Sequence, residues 1–161
     1  MIKSNKQYPC RPRRLTTIFT NRDRPLFFVT ICTKDRRKLL DKISVHNNFI
    51  QYSTQSSATC DAWVGKYVIM PDHIHVFISC DGSSCLSRWV KGLKGVLSKF
   101  FRDSGHKGPF WQDGFFDHLL RSGESYSEKW LYVSHNPVRA GLVNKPEDWV
   151  FSGEIEILMW N

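Results

Sequence analysis

The stretch "VIMPDHIHVFISC", residues 68–80, contains the most informative structural pattern in the chain. A Pro-Asp pair, typical of a tight turn, joins two apolar segments, and the second segment carries His73 and His75 at alternate positions. Residues two apart in a strand project to the same face, so both imidazoles point to one side of the predicted sheet. The stretch therefore predicts a hairpin whose second strand holds half of a metal site.

The length and composition predict one globular domain. A chain of 161 residues, 41% hydrophobic and 14% aromatic, can bury a core of its own. Its five cysteines contain no CxxC pair, which argues against a disulfide framework or a zinc ribbon and favours a reducing compartment. No apolar run approaches membrane-spanning length, and no signal peptide is recognisable. We therefore expect a cytoplasmic, nucleoid-associated protein without a membrane partner.

The formal net charge of +8 is concentrated near the start of the chain. Residues 1–42 contain 12 of the 23 lysines and arginines but 3 of the 15 acidic residues. Such a segment attracts nucleic-acid phosphates through counterion release, so we predict a basic arm at 1–24 in front of a single domain at 25–161. A solvated tail without a ligand is the alternative. The arm residues expected to contact DNA are Arg11, Arg13 and Arg14.

The pattern of apolar residues predicts alternating strands and helices. The segments typical of strands are residues 26–33, 62–70, 73–80 and 108–118. Those typical of helices are residues 43–57, 85–102 and 125–136. This order predicts a ferredoxin-like βαββαβ sandwich, an α/β fold with a central antiparallel sheet and an added C-terminal helix. Asp113-Gly114 could instead turn a short hairpin within the last strand.

The predicted helix at 85–102 has the clearest periodicity, with apolar residues on one side and no acidic residue on the other. Lys91 and Lys94 belong to its polar side, where they could contact DNA phosphates. An ordinary solvated helix face is the alternative explanation. The pattern therefore favours nucleic-acid binding only modestly.

The last predicted helix, residues 125–136, carries side chains that could complete a metal site and act on a phosphate. Ser125 and Glu128 form a capping-box pattern at its start, and Pro137 would end it after Asn136. Tyr132 and Asn136 share one side, a turn apart, whereas another stripe faces the sheet. The residues of that packing stripe are Tyr126, Trp130 and Val133.

These side chains are suited to chemistry on a phosphodiester. A divalent cation held by His73, His75 and the amide oxygen of Asn136 could polarise the phosphate. The Tyr132 hydroxyl, with an ordinary pKa of about 10, becomes a nucleophile when a nearby cation favours its phenoxide. Structural explanations stay open: the histidines could be incidental, Asn136 could cap the turn after it, and Tyr132 could be a surface residue. His135 competes with Asn136 as the third ligand.

Four motifs in order resemble those of the REP-associated tyrosine transposases, single-tyrosine HUH enzymes of bacterial insertion sequences. They are "MPDHIHVFI", the lysine-bearing helix, "FWQDGFFDHLLR" and "YVSHNPVRAGLV", and the resemblance spans residues 25–152. It implies that His73 and His75 are HUH metal ligands for Mg²⁺ or Mn²⁺. It also implies that Tyr132 is the nucleophile and that Asn136 is the polar third ligand.

The resemblance further implies DNA transposition by cleavage and rejoining of single-stranded DNA through a 5′-phosphotyrosine intermediate. The implied substrates are hairpins of short palindromic repeats flanked by a guide tetranucleotide, bound by a monomer or a homodimer. His118, Arg121 and Arg139 are DNA-contact candidates, although each could serve local packing or a surface ion pair. The alternatives are a non-cutting repeat-binding protein, a replication or relaxase nickase, and a zinc protein that uses Cys80 and Cys85.

Overall fold

The computed structural model describes residues 24–158, and the basic arm with Arg11, Arg13 and Arg14 lies outside them. One antiparallel sheet has the strand order β4-β1-β3-β2-β5. The strands are β1 (Leu26–Cys32), β2 (Ala62–Met70), β3 (His73–Cys80), β4 (Phe116–Leu119) and β5 (Ser152–Glu154). The first four follow the predicted ferredoxin-like plan, with β1 and β3 in the middle, and β5 extends it.

The predicted hairpin at residues 68–80 is confirmed, since β2 and β3 have the predicted bounds and pair from Met70 and His73 outward. Its Pro-Asp turn is held by the segment that follows β1. The Pro71 carbonyl accepts hydrogen bonds from the Leu39 and Leu40 amides, and the Asp72 carbonyl accepts from both the amide and the hydroxyl of Thr33. These bonds give partners to backbone carbonyls that would otherwise have none at a turn, and they fix the turn against the sheet.

Two helices cover one face of the sheet: α1 (Ile43–Cys60) and α2 (Gly82–Asp103). Alternate β3 residues enter this core, whereas His73 and His75 belong to the other face. The weak helical pattern of α1 has a physical cause. Ser53 and Ser56 are buried on its inner side, and the Ser56 hydroxyl donates to the carbonyls of Ser53 and Ala62. An inner face that includes serines does not give an apolar stripe.

A third helix, α3 (Gly123–Ser134), lies on the opposite face of the sheet, and its predicted packing stripe is confirmed. Its predicted start is wrong by one turn. Ser122 is the N-cap and accepts a hydrogen bond from the Ser125 amide at 3.1 Å, so Ser125 lies inside the helix.

The predicted end of this helix also differs from the structure. The helix ends at Ser134, and a separate turn, α4 (Asn136–Arg139), follows with Pro137 in its first turn. A proline is tolerated at that position because the amide it lacks would have no helical partner there.

The single strand predicted at 108–118 is wrong in extent. Only Phe116–Leu119 forms β4, and before it Trp111 makes one bridge to Thr33. The Lys94 ammonium donates to the Gln112 carbonyl at 2.8 Å and the Gly114 carbonyl at 2.5 Å. These bonds hold residues 112–114 as a bend, with Gly114 at a φ of 64°, instead of a strand.

Among residues 24–158, the structure has no helix that is both long enough and apolar enough to cross a membrane.

Candidate active site

The two histidines of β3 lie side by side on the face of the sheet that carries α3. His75 pairs with Thr30 on one side and Val68 on the other, and His73 pairs with Cys32 and Met70. The ring centroids of the two imidazoles are 4.7 Å apart. Because β3 is paired with β1 on one side and β2 on the other, the imidazoles are mounted on a central strand of the sheet.

Each imidazole is oriented by a hydrogen bond at its Nδ1 atom. The His73 Nδ1 atom lies 2.6 Å from Asp72 Oδ1, and the His75 Nδ1 atom lies 2.8 Å from Thr30 Oγ1. Metal-binding histidines characteristically donate one ring N–H to a carboxylate or another oxygen, which leaves the second nitrogen for the metal. With Nδ1 as the donor, Nε2 of both rings is available to a cation.

The surroundings of both rings favour the neutral imidazole. Burial lowers the pKa of His75 to about 3, helped by the nearby charges of His73, Arg36 and Lys129. Burial also lowers the pKa of His73, although the neighbouring Asp72 carboxylate opposes that shift. A neutral imidazole is the form that binds a metal, so no proton has to be removed at neutral pH. The pair therefore fits the divalent cation implied by the sequence.

Arg36 completes the support of His73 and was missed by the sequence analysis. Its Nε atom donates to Asp72 Oδ2 at 2.8 Å, and a terminal nitrogen lies 3.3 Å from His73 Nδ1. Although burial by itself raises the pKa of Asp72, the bonds from His73 and Arg36 bring it below its ordinary value. Asp72 therefore stays ionised as the acceptor for His73. No local signal points to Arg36, because 37 residues separate it from His73.

Packing brings the helix of Tyr132 next to the histidines. Val133 is buried against Val68 and Met70, the β2 residues that pair with His75 and His73. One turn earlier, the Lys129 ammonium lies 5.4 Å from the centroid of the Phe28 ring. That ring stacks on His75 with centroids 5.3 Å apart. Lys129, which the sequence analysis also missed, thus adds a positive charge beside the imidazole pair.

Tyr132 is exposed, whereas the other tyrosines of residues 24–158 are not. Its side chain is 63% accessible to solvent. Burial raises the pKa of each remaining hydroxyl to about 12, which disfavours the phenoxide that a nucleophile requires. Those tyrosines are Tyr52, Tyr67 and Tyr126. Tyr132 is therefore the exposed tyrosine of residues 24–158.

Arg139 links Tyr132 to Asn136. Its guanidinium lies 4.0 Å above the centre of the Tyr132 ring, a cation–π contact, and donates to the Tyr132 carbonyl. The same terminal nitrogen donates to Asn136 Oδ1 in a short hydrogen bond. Arg139, a DNA-contact candidate from its sequence, thus also holds two candidate site residues together. His135, the competing ligand, directs Nδ1 to the Leu131 carbonyl at 2.9 Å.

The zinc alternative is wrong. Within residues 24–158, no three His, Cys, Asp or Glu side chains are grouped in a way that could hold a metal ion. Cys80 and Cys85 belong to the core beneath α1 and α2, on the face of the sheet opposite the histidines. The parity of β3 explains this, because positions 75 and 80 are an odd number of residues apart.

The DNA-contact candidates fall in different places. His118 and Arg121 are exposed, on and just after β4, and His118 pairs across the sheet with Phe28. Lys91 is exposed on α2, a helix that covers the face of the sheet opposite the histidines. Lys94 is turned to the bend at 112–114. The structure thus gathers His118 on the face of the histidines and separates the α2 lysines from it.

Comparison with known proteins agrees with this architecture. The family model described as "Transposase IS200 like" matches residues 27–135. A chain from Haemophilus influenzae, assigned as a REP-associated tyrosine transposase, is 27% identical over 147 residues, covering 79% of this chain and 78% of its own. The REP-associated tyrosine transposase of Escherichia coli K12 is 30% identical over 91 residues, covering 55% and 52%.

A solved structure has the same fold. It is a REP-associated tyrosine transposase bound to a REP hairpin, with a TM-score of 0.65 and 23% identity over 80% of this chain and 75% of its own. The resemblance found in the sequence motifs is therefore confirmed. Since the family model spans more than half of the 161 residues, this chain belongs to the IS200-like transposase family.

Proposed function

We propose that this protein is a metal-dependent, tyrosine-nucleophile endonuclease and strand transferase that acts on single-stranded hairpin DNA during transposition. One observation carries the proposal: two neutral imidazoles, each oriented through Nδ1, lie beside a helix that presents an exposed tyrosine. A site for structure alone would not require Nε2 of both rings to be available. The family membership supports DNA processing as the setting for this chemistry.

The proposed ligands are Nε2 of His73, Nε2 of His75 and the amide oxygen of Asn136, with His135 as the alternative to Asn136. Mg²⁺ or Mn²⁺ bound there would supply Lewis-acid polarisation of the scissile phosphate. The residues around the ligands have separate tasks. Thr30 and Asp72 hold the imidazoles in one tautomer, and Lys129 adds positive charge where the phosphate would approach.

In the proposed reaction, the Tyr132 oxygen attacks the scissile phosphorus. A bond forms between that oxygen and phosphorus, the bond between phosphorus and the 3′ oxygen breaks, and the phenolic proton passes to solvent while the leaving oxygen takes up a proton. The product is a 5′-phosphotyrosine and a free 3′ hydroxyl. Because the phosphoester is conserved, a second 3′ hydroxyl can reverse the step and join new strands without ATP.

Arg139 acts as a positioning residue in this proposal. Its contacts restrict the Tyr132 ring and orient the Asn136 amide before DNA arrives. The amide oxygen it holds is the one proposed as a metal ligand, and because that oxygen has two lone pairs, Arg139 could keep it oriented towards a cation. The remaining N–H groups of Arg139 could meet the phosphate, which unites this role with the DNA contact expected from the sequence.

The proposed partner is a palindromic-repeat hairpin with an unpaired guide tetranucleotide, bound by a monomer or a homodimer. The solved relative bound to a REP hairpin supports a hairpin as the substrate. We expect phosphate contacts from the arm residues Arg11, Arg13 and Arg14 and from His118 and Arg121. Lys91 would reach only DNA that extends around the sheet to the α2 side.

The test uses single-stranded oligonucleotides covering the repeats that flank the gene, incubated with Mn²⁺ and run on a denaturing protein gel. The native protein is expected to form a covalent DNA adduct, and Tyr132→Phe is expected to form none. Tyr126→Phe is the matched control, because its hydroxyl is buried, and should retain the adduct. An adduct that survives in Tyr132→Phe would contradict the assignment. Tight hairpin binding without adduct or cleavage would favour a non-cutting repeat-binding protein.

A further inference from the structure

Phe116 is an aromatic residue that the fold leaves half exposed. It begins β4, one of the two edge strands of the sheet, and 48% of its surface is accessible. About half of the residue is thus covered by the fold, and burying the remainder against a ligand would be favourable. The ring is therefore accessible to a ligand.

The position of Phe116 relates it to the candidate active site. Phe116 pairs with Thr30 across the sheet, and Thr30 pairs with His75 and is hydrogen-bonded to its Nδ1 atom. Directly paired residues project to the same face, so Phe116 and His75 lie in one row with two strand spacings between them, about 10 Å. The helix α3 packs on residues of β2 and on Leu26 and Phe28 of β1, whereas Phe116 and His118 on β4 are exposed.

The β4 side of this face is suited to single-stranded nucleic acid. His118, two residues further along β4, is exposed on the same face as Phe116. The charged groups nearest the imidazoles include Lys129, 5.4 Å from Phe28, and Arg36, 3.3 Å from His73. Cations that meet the backbone, together with an exposed ring that meets a base, are the elements by which proteins bind unpaired strands.

We propose that Phe116 stacks on an unpaired base of the single-stranded flank, next to the scissile phosphate held at His73 and His75. This inference rests on the proposed function and specifies where that site binds the unpaired flank of its substrate. A second copy of the chain is the competing occupant. One ring between Thr30 and His118, both polar, is too small an apolar patch for a stable protein interface, whereas it matches the face of one base.

The experiment compares a hairpin that carries its single-stranded flank with the same hairpin cut blunt, without divalent metal so that both stay intact. The readout is the ratio of the two affinities for each variant. Phe116→Ala is expected to lower this ratio by between about fivefold and about a hundredfold, the range for losing one base stack. Phe116→Trp should keep it, since the larger ring also stacks. Ile43→Ala, an exposed apolar residue on α1 behind the sheet, is the matched control.

A second readout locates the base. Each flank position is replaced in turn by 2-aminopurine, whose fluorescence is quenched by stacking. One position should be quenched with the native protein and with Phe116→Trp, and that quenching should be lost with Phe116→Ala. An unchanged affinity ratio and unchanged quenching in Phe116→Ala would overturn the inference. A change in molecular mass by light scattering, with DNA binding unaffected, would overturn it in favour of a contact between copies.

The two proposals fail in distinguishable ways. If Tyr132→Phe loses the adduct and Phe116→Ala binds the flank normally, the cleavage proposal stands and the stacking inference fails. If the native protein forms no adduct but the flank preference depends on Phe116, the stacking inference stands and the cleavage proposal fails.

Discussion

At the scale of single residues, the candidate site depends on groups that never touch the substrate. Thr30 and Asp72 hold the imidazoles, and Arg36 holds Asp72. A neutral imidazole that rotates freely is a weaker ligand than one fixed by a hydrogen bond, because its rotational freedom has to be lost when the metal binds. The proposed metal affinity should therefore respond to residues one shell away from the cation.

Replacing Thr30 by valine tests this dependence. Thr30→Val keeps the shape of the side chain but removes the oxygen that pairs with His75 Nδ1. We expect Mn²⁺ to bind about 10- to 100-fold more weakly, as measured by titration calorimetry. Thr54→Val is the control, because that threonine is exposed on α1 and bonds only its own helix. Equal Mn²⁺ affinities in the two variants would contradict the role given to Thr30.

Arg139 permits a test of positioning against binding. Arg139→Ala removes the contact with the Tyr132 ring and the bond to Asn136. A cation–π contact and a charge-assisted hydrogen bond together suggest a loss of about 1 to 3 kcal/mol, or a roughly 5- to 150-fold slower adduct formation at saturating DNA. Arg139→Lys should recover part of this rate. If only the affinity for DNA falls and the rate at saturation does not, Arg139 contacts the substrate without positioning Tyr132.

At the scale of the elements, α1 and α2 pack on one face of the sheet and α3 packs on the other. The position of α3 matters most, because it brings Tyr132 to the side of the sheet where the histidines lie. Its start is held by the Ser122 cap, which satisfies the Ser125 amide. A looser first turn would weaken the packing of Tyr126 at the β1 end of the sheet.

The cap of α3 can be tested directly. Ser122→Ala is expected to lower the free energy of unfolding by about 1 kcal/mol, because the Ser125 amide loses its acceptor. Ser127→Ala, at an exposed position inside the same helix, should change stability little or raise it slightly. Urea denaturation of both variants measures the difference. A smaller loss for Ser122→Ala than for Ser127→Ala would show that the helix begins elsewhere.

Two glycines of α2 give a matched pair for the packing of α1 on α2. A Cβ atom at Gly92 would lie 2.1 Å from the Tyr52 hydroxyl, which donates to the Trp89 carbonyl, whereas a Cβ atom at Gly95 meets nothing within 4 Å. Gly92→Ala should therefore cost about 1 to 3 kcal/mol of unfolding free energy, and Gly95→Ala should add up to about 1 kcal/mol. Thermal unfolding of the two variants should move in opposite directions. Equal shifts of the unfolding temperature in the two variants would mean that the Tyr52 side chain moves aside without a cost in stability.

At the scale of the whole molecule, the sheet separates a structural side from a candidate functional side. The α1 and α2 side holds most of the core, and the α3 side holds the histidines, Phe116 and His118. This division lets the strands be rigid while one face stays partly open to a substrate. It also places the α2 lysines behind the site, where only an extended DNA could meet them.

The stability of the whole molecule should depend on pH through its half-buried histidines. On the core side, His46 Nε2 lies 2.7 Å from the Tyr67 hydroxyl, and burial lowers the pKa of His46. The unfolded chain then binds more protons than the folded one below about pH 6.5, so the free energy of unfolding falls as the solution is acidified. The slope should reach at most about 1.4 kcal/mol per pH unit for each such group.

Urea titrations at pH 7.5 and pH 5.5 measure this loss, and His46→Gln should reduce it. Part of the loss should remain in the variant, since the pKa values of His73 and His75 are lowered too. A variant with the same pH dependence as the native protein would contradict the contribution of His46.

The sequence by itself determined the local features of this protein. The β2–β3 hairpin has its predicted bounds because the strand alternation and the Pro-Asp turn are encoded within residues 62–80. The packing stripe of α3 and the fold class were likewise predictable, since periodicity and element order are local properties. Periodicity also placed Tyr132 on a side of the helix away from that stripe, and the structure shows the residue exposed.

Only the tertiary structure decided what depends on distant partners. Thr30 contacts His75, which is 45 residues away in the sequence, and Arg36 contacts His73, which is 37 residues away. No local pattern therefore predicts either contact. The same holds for the bend that Lys94 imposes before β4, and for Phe116, whose place beside the site follows from strand register. A chain's local preferences specify its elements, whereas the groups that tune a site are chosen by which elements fold against one another.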